Sequence, residues 1–262
     1  MTVSFAESKL ARLTVEFRSF VARIRLHNPP LNVIDIAMME ELVGALAKAE
    51  ARCDVSVIVV SGEGKGFSAG VDVAAHTPNK VNEMLGKFHG VVRALVASKK
   101  VTIAAVHGHC FGGGAELAMV CDMVYTTASA QWGFPEIKLG CYPPVACTAL
   151  AALVGQKRAA ELILTGRTIS GAEAAEIGLA NRAVADEELA DVVDQTIKEL
   201  GALSSAALAF TKKAIYTWDA AHFDKGLARA EKIYFEELMQ TADAREGTQA
   251  FLEKRSPNWT GK

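Results

Sequence analysis

The chain has 262 residues, half of them (50%) hydrophobic, and a formal net charge of −2 at pH 7. That is enough apolar chain to bury a substantial core, which excludes a fibrous or disordered protein, and the faint negative charge argues against an electrostatic partnership with nucleic acid. No apolar run is long enough to span a bilayer and no signal peptide is visible, so a cytoplasmic protein without membrane contact is expected; the 5 cysteines lack CxxC spacing and read as reduced core thiols, not metal ligands.

Residues 13–17 and 21–26 alternate around Arg18-Ser19, which predicts a hairpin ended by the pair Pro29-Pro30. His27, in the loop beside them, reads as a solvated residue. Over residues 36–52, Met39, Leu42, Val43, Leu46 and Ala49 recur at three- and four-residue spacing and predict an amphipathic helix. A strand at 55–60 leads to the glycine turn Gly66-Phe67-Ser68-Ala69-Gly70-Val71-Asp72, where Asp72 is expected to cap or brace backbone donors. Residues 74–80 break the pattern, with His76 read as a surface histidine, and a helix follows at 81–97. This strand–helix rhythm implies a largely parallel sheet covered by helices.

Residues 101–119 carry the most chemical information. A β-branched apolar run ends at Val106, the triplet Gly112-Gly113-Gly114 follows, and a helix opens with Glu116 in its first turn. Such a turn leaves backbone N–H groups unpaired and aimed outward, which suits an oxyanion. The turn at 66–72 supplies a second donor, and Phe134-Pro135-Glu136 supplies a second carboxylate. Two donor turns and two carboxylates together make a catalytic set. Further on, the pattern predicts a strand at 122–126, a helix at 156–166, a capping box from Ser170 and Glu173, and three helices at 206–218, 223–239 and 242–252.

These motifs, with Leu26-His27-Asn28-Pro29-Pro30-Leu31-Asn32 before them and Glu253-Lys254-Arg255 after, resemble the crotonase, or enoyl-CoA hydratase/isomerase, superfamily over nearly the whole chain. The resemblance implies an α/β fold: a crotonase-type spiral of ββα units over residues 1–203 holding an acyl-CoA site, and a C-terminal helical region, 204–262, that packs subunits into a homotrimer or homohexamer. It implies that the backbone N–H groups of Val71 and Gly113 hold a thioester oxygen. Glu116 and Glu136 match the paired glutamates of the hydratases, Glu116 to activate water and Glu136 to donate a proton, with exchanged or shared roles left open. Ala69, Asp72, Phe134, Pro144 and Lys254 are the expected substrate contacts, Lys254 and Arg255 being candidates for the CoA phosphates. The implied partner is an acyl-CoA thioester, with no separate cofactor and no metal.

The chain also departs from many members of that superfamily. Phe134 stands where a glutamine is frequent, and Pro143-Pro144-Val145-Ala146 replaces a glycine-rich run. Proline has no N–H, so Pro144 offers none to an attacking water, which would be held mainly by the two carboxylates. Together with residues 29–39, 67–73 and the pair Thr77-Pro78, the segment at 142–146 is most similar to cyclohexa-1,5-diene-1-carbonyl-CoA hydratases, which act after benzoyl-CoA reduction in anaerobic aromatic degradation. That similarity implies a 1,4-addition of water giving 6-hydroxycyclohex-1-ene-1-carbonyl-CoA, with Phe134 and Pro143-Pro144 as a rigid wall for a flat ring. A short-chain (2E)-enoyl-CoA hydratase needs the same glutamates. A non-catalytic acyl-CoA- or RNA-binding relative is the third reading, and two intact carboxylates count against it.

Overall fold

The computed structural model describes residues 6–77 and 79–261, so Pro78 of the Thr77-Pro78 pair lies outside the described residues. The chain opens with β1 (Ala6–Lys9), β2 (Leu13–Arg18) and β3 (Val21–Leu26), paired antiparallel in that order. The β2–β3 hairpin is the one the alternation predicts; Ser19, at φ 54°, makes its tight turn. From β4 onward a unit recurs: a strand in a large sheet, a short strand in a second sheet, and a helix. After α1 (Ile36–Ala51) come β4 (Val57–Gly62), β5 (Gly66–Ser68) and α2 (Val81–Val96). The next unit is β6 (Val101–Val106), β7 (His109–Phe111) and α3 (Gly113–Met119). A third unit is β8 (Met123–Thr127), β9 (Gln131–Gly133), α4 (Pro144–Val154) and α5 (Gln156–Thr165). The remainder is β10 (Thr168–Ser170), α6 (Gly171–Glu176), β11 (Arg182–Val184), α7 (Leu189–Gly201), α8 (Ser205–Glu236) and α9 (Ala242–Leu252).

The first strands of the units align as one sheet, β1-β2-β3-β4-β6-β8-β11, parallel from β3 onward, and the short strands form another, β10-β9-β7-β5. The central strands are buried on both faces, as a parallel sheet covered by helices requires. In β4, Ile58 and Val60 join the core that contains α1 and α2, while Val57 and Val59 pack toward Val193 and Ile197 of α7. Asp35 caps α1 by accepting from the Met38 N–H at 2.8 Å. The Ser170 and Glu173 spacing yields only half of a capping box. Ser170 Oγ accepts from the Glu173 N–H at 3.0 Å, whereas the Glu173 carboxylate takes Arg167 at 2.7 Å.

Near the C-terminus the structure corrects the sequence reading. The two helices expected at 206–218 and 223–239 are one 32-residue helix, α8. No proline interrupts it and its first glycine is Gly226, so nothing local stops the i→i−4 ladder. α8 is tied to the core by a buried ion pair: Lys212 Nζ lies 2.7 Å from Asp122 and donates to the Lys100 carbonyl at 2.8 Å. Asp122 also accepts from the Thr102 N–H at 2.7 Å. Farther along, Glu231 takes Arg93 at 3.0 Å and His89 at 2.6 Å, both from α2. Among the described residues no helix is long and apolar enough to cross a membrane.

Removing one member of a buried pair strands the other charge. Asp122→Ala is therefore expected to lower the unfolding free energy by about 3 kcal/mol, read by urea denaturation. Adding Lys212→Met should recover part of that loss.

Candidate active site

The donor turns converge because the segments beside them are pinned. β5 ends at Ser68, whose Oγ donates to the Asn32 carbonyl at 2.7 Å and accepts from the Gly70 N–H at 3.0 Å. The Ala69 N–H donates to Leu31, and the Asp72 N–H to Ile34. Val71 between them has no acceptor for its own N–H among the described residues. Across from it, the Gly112 N–H donates to the Gly133 carbonyl at 2.9 Å, and Gly113 begins α3 with its N–H free of any described acceptor. A Cβ placed on Gly113 would lie 3.4 Å from Val71 N and only 2.5 Å from Val71 Cγ2. Both free N–H groups thus face one small space that a side chain at 113 would invade.

Two carboxyl groups border the same space from different elements. Glu116 sits one turn into α3 and is 3% exposed. Its Oε1 accepts from the Ala146 N–H at 2.9 Å, and the Val145 N–H also points at it, so the first turn of α4 solvates this carboxylate. Glu136 lies on the 3₁₀ turn Pro135–Leu139 that follows β9. As a residue it is half-buried, yet its Oε2 is sealed from solvent and has no hydrogen-bond partner among the described residues. Its Oε1 rests against Gly112, where φ is +51° and an added Cβ would lie 2.7 Å from that oxygen. Only glycine meets both demands at 112.

The electrostatics follow from this asymmetry. Burial pushes the Glu116 carboxyl up to about 7, against the opposing pull of the Ala146 and Val145 N–H groups. Burial, then the neighbouring Glu116 charge, drives Glu136 well above the usual carboxylate range. Near neutrality Glu116 is the group that ionises first and Glu136 keeps its proton. Two carboxyls of unequal proton affinity therefore border the cavity that the two free N–H donors line.

The space is a cavity of about 450 Å³. Ala69, Val71, Gly113, Glu116, Glu136 and Pro144, six of the residues singled out by the sequence, line it. Three others do not. Asp72 turns away and caps the 3₁₀ turn Val73–Ala75, accepting from the Ala74 N–H at 3.0 Å. Phe134 is 1% exposed and packs in the core; it anchors the turn that carries Glu136 instead of forming a wall. Lys254 is exposed beside the mouth, and Arg255 takes the lining position, braced by Glu246 and Glu253 at 2.6 Å each. His76 lines the cavity and is half-buried, contrary to the expectation of a surface histidine. Sequence reasoning missed Met84, Leu85 and Phe88 of α2, and Tyr234 of α8, which complete the walls. Helical periodicity marks them as buried but cannot distinguish core from cavity. A larger cavity, about 670 Å³, lies between α4 and α8 and holds no paired carboxylates. Among the described residues no group of three or more His, Cys, Asp or Glu side chains is arranged to hold a metal ion.

The family model described as Enoyl-CoA hydratase/isomerase matches residues 16–262. The cyclohexa-1,5-dienecarbonyl-CoA hydratase of Thauera aromatica is 35% identical over 260 residues, covering 99% of this chain and 100% of that protein. A probable enoyl-CoA hydratase of Bacillus subtilis (strain 168) is 37% identical, covering 93% and 96% respectively. Among solved structures, an enoyl-CoA hydratase from Mycobacterium avium subsp. paratuberculosis K-10 superposes with a TM-score of 0.87 at 28% identity, covering 96% of this chain and 100% of that one.

The raised carboxyls predict a pH dependence of stability. A carboxyl that holds its proton more tightly folded than unfolded gives stability that is fully present below its unfolded value of about 4.3 and is lost as pH rises through the folded value. For Glu116 that window runs up to about 7, and for Glu136 it extends higher. Urea denaturation from pH 5 to 9 should show stability falling, with a shallower slope in Glu136→Gln. An unchanged slope in that variant would contradict the assignment.

Proposed function

The chain belongs to the enoyl-CoA hydratase/isomerase family, and from that premise we propose that it is a hydro-lyase acting on cyclohexa-1,5-diene-1-carbonyl-CoA. The observation that carries the reading is the pair of buried carboxyls, one solvated by two amides of α4 and one with a sealed, unpartnered oxygen, set against two free N–H groups in one cavity. In the reaction proposed, the thioester oxygen accepts from Val71 and Gly113. Ionised Glu116 takes a proton from water as its oxygen adds to the β carbon, and electrons move through the diene onto the thioester oxygen. The two N–H donors stabilise that charge where it develops. Protonated Glu136 then delivers a proton to the far end of the second double bond, giving 6-hydroxycyclohex-1-ene-1-carbonyl-CoA. The two carboxyls exchange protonation states, and the product's release with proton return resets them.

Pro144 lies at the first position of α4 with no N–H, and the Ala146 N–H is committed to Glu116. The water is accordingly held by the carboxylates. With Phe134 in the core, selectivity for a ring falls to Phe88, Pro143, Pro144 and Tyr234, which supply flat, stiff walls. The full-length similarity to the Thauera aromatica hydratase supports this substrate. The slightly higher identity to a probable enoyl-CoA hydratase supports the second reading, a short-chain (2E)-enoyl-CoA hydratase using the same residues. A cytoplasmic homotrimer or homohexamer, assembled through the region 204–262 beside a core of 1–203, completes the proposal.

The deciding experiment measures hydration of cyclohexa-1,5-diene-1-carbonyl-CoA and crotonyl-CoA side by side, with products identified by mass and NMR. A preference for the diene is expected, with kcat reduced at least about 100-fold in Glu116→Gln and in Glu136→Gln. A preference for crotonyl-CoA would favour the linear substrate, and silence on both would point to a binding role. Gly113→Ala, which forces the facing turns apart, is expected to lower kcat by about 100- to 1,000-fold, comparable to losing one oxyanion donor.

A further inference from the structure

The reaction above leaves one polar side chain of the cavity wall unused. His76 follows the 3₁₀ turn Val73–Ala75 and is tied back to it twice: its backbone N–H donates to the Val73 carbonyl at 3.0 Å, and its ring Nδ1 lies 3.1 Å from the Asp72 carbonyl. A carbonyl oxygen only accepts, so Nδ1 carries the ring proton and Nε2 is left as a bare acceptor. Burial holds the imidazole below its ordinary value, against the pull of the Asp72 carbonyl, and the ring is neutral at pH 7. Nε2 has no hydrogen-bond partner among the described residues, yet it is not sealed from solvent. The residue borders the cavity of the two carboxyls and an adjoining one of about 610 Å³ against α9.

We propose that His76 is a specificity-determining residue: its Nε2 accepts a hydrogen bond from a hydroxyl on the acyl part of the bound thioester, so the cavity holds a hydroxylated acyl-CoA more tightly than its deoxy counterpart. The inference rests on the acyl-CoA reading above. Position supports it. Each residue spans at most about 3.6 Å, so the bond to Asp72 keeps Nδ1 within about 10 Å of the Val71 N–H, the scale of an acyl group whose thioester oxygen is held there. The chemistry of the wall supports it too. Val73 of the same turn and Met84, Leu85 and Phe88 of α2 line the cavity with it, and all four are apolar. A hydrocarbon side chain at 76 would complete such a wall for an apolar acyl group, whereas an unmatched acceptor there loses its hydration whenever a ligand displaces water. A ligand that brings a hydroxyl offsets that loss. The hydrated product of the proposed reaction, 6-hydroxycyclohex-1-ene-1-carbonyl-CoA, carries one. The amide N–H groups of the pantetheine arm are donors as well, but they are common to every acyl-CoA and give no preference between acyl groups.

The test uses two thioesters that differ by one hydroxyl, 6-hydroxycyclohex-1-ene-1-carbonyl-CoA and cyclohex-1-ene-1-carbonyl-CoA, titrated calorimetrically into the full chain carrying Glu136→Gln to suppress turnover. With His76 in place the hydroxylated ligand is expected to bind about 10-fold more tightly, the scale of one hydrogen bond. Adding His76→Leu should bring the two Kd values within about 2-fold by weakening the hydroxylated ligand alone, and His76→Gln, whose amide oxygen keeps an acceptor, should retain most of the preference. A preference that survives His76→Leu assigns the hydroxyl to other groups and overturns the proposal. An equal loss for both ligands puts the contact on the pantetheine arm and overturns it too. Nitrogen NMR of the imidazoles gives a second readout: the Nε2 resonance absent from the His76 variants should shift with the hydroxylated thioester and stay in place with the other. If His76→Leu does not fold, His76→Gln assigns that resonance, and an unmoved signal sinks the idea. Should the wild-type chain hydrate no enoyl-CoA while the Kd values behave as expected, the hydratase reading fails and the His76 contact stands. Should it hydrate the diene while His76→Leu leaves the Kd ratio unchanged, the reverse holds, and if neither thioester binds, both fail.

Discussion

Two buried carboxyl groups sharing one cavity cannot both be charged without a large electrostatic cost. Everything about this site follows from how the fold settles that competition. It gives Glu116 two amides from the first turn of α4 and leaves Glu136 with only its own backbone N–H, so the first loses its proton more readily than the second. The same chemistry in water would leave both ionised near neutrality. Burial supplies the raised values and the α4 amides supply the difference between them.

Holding that arrangement demands a rigid frame, and the repeated strand–strand–helix unit provides one. Each unit sends its chain from the large sheet into the small one and then into a helix, which brings the ends of β5, β7 and β9 side by side. Those ends carry the Val71 turn, the Gly112-Gly113 turn and the Glu136 turn. Hydrogen bonds pin the residues flanking Val71 and the N–H of Gly112, and the N–H groups of Val71 and Gly113 are left without an acceptor among the described residues. The buried Lys212–Asp122 pair and the contacts of Glu231 hold α8 against this frame, which lets Tyr234 reach the cavity from a distant part of the chain.

Much of this was legible from the residues in order. The β2–β3 hairpin, α1, β4, α2, β6 and α5 lie where alternation or helical spacing puts them, because burial on one face or on both imposes a period on local sequence. Differences arose where the deciding contact is remote. Phe134 reads as a pocket wall until the core closes over it, and Lys254 yields the mouth to its neighbour Arg255, which ion pairs with Glu246 and Glu253 hold in place. The expected break in α8 has no local cause and does not occur. Glu173 abandons its capping role for Arg167, a competition that spacing does not reveal.

By itself, the sequence determined the α/β class, the opening hairpin and the strand–helix alternation through α2 and β6, the two glycine turns and the two carboxylates, together with the family resemblance they carry. These are local properties: a period of burial, a backbone that only glycine permits, a side chain of given chemistry. The tertiary structure alone decided which carboxyl is solvated by the amides of α4, which residues line the cavity, and that α8 borders it. Those outcomes depend on pairs such as Glu116 with Ala146 and Tyr142 with Tyr234, separated along the chain and joined only when the sheets and helices pack.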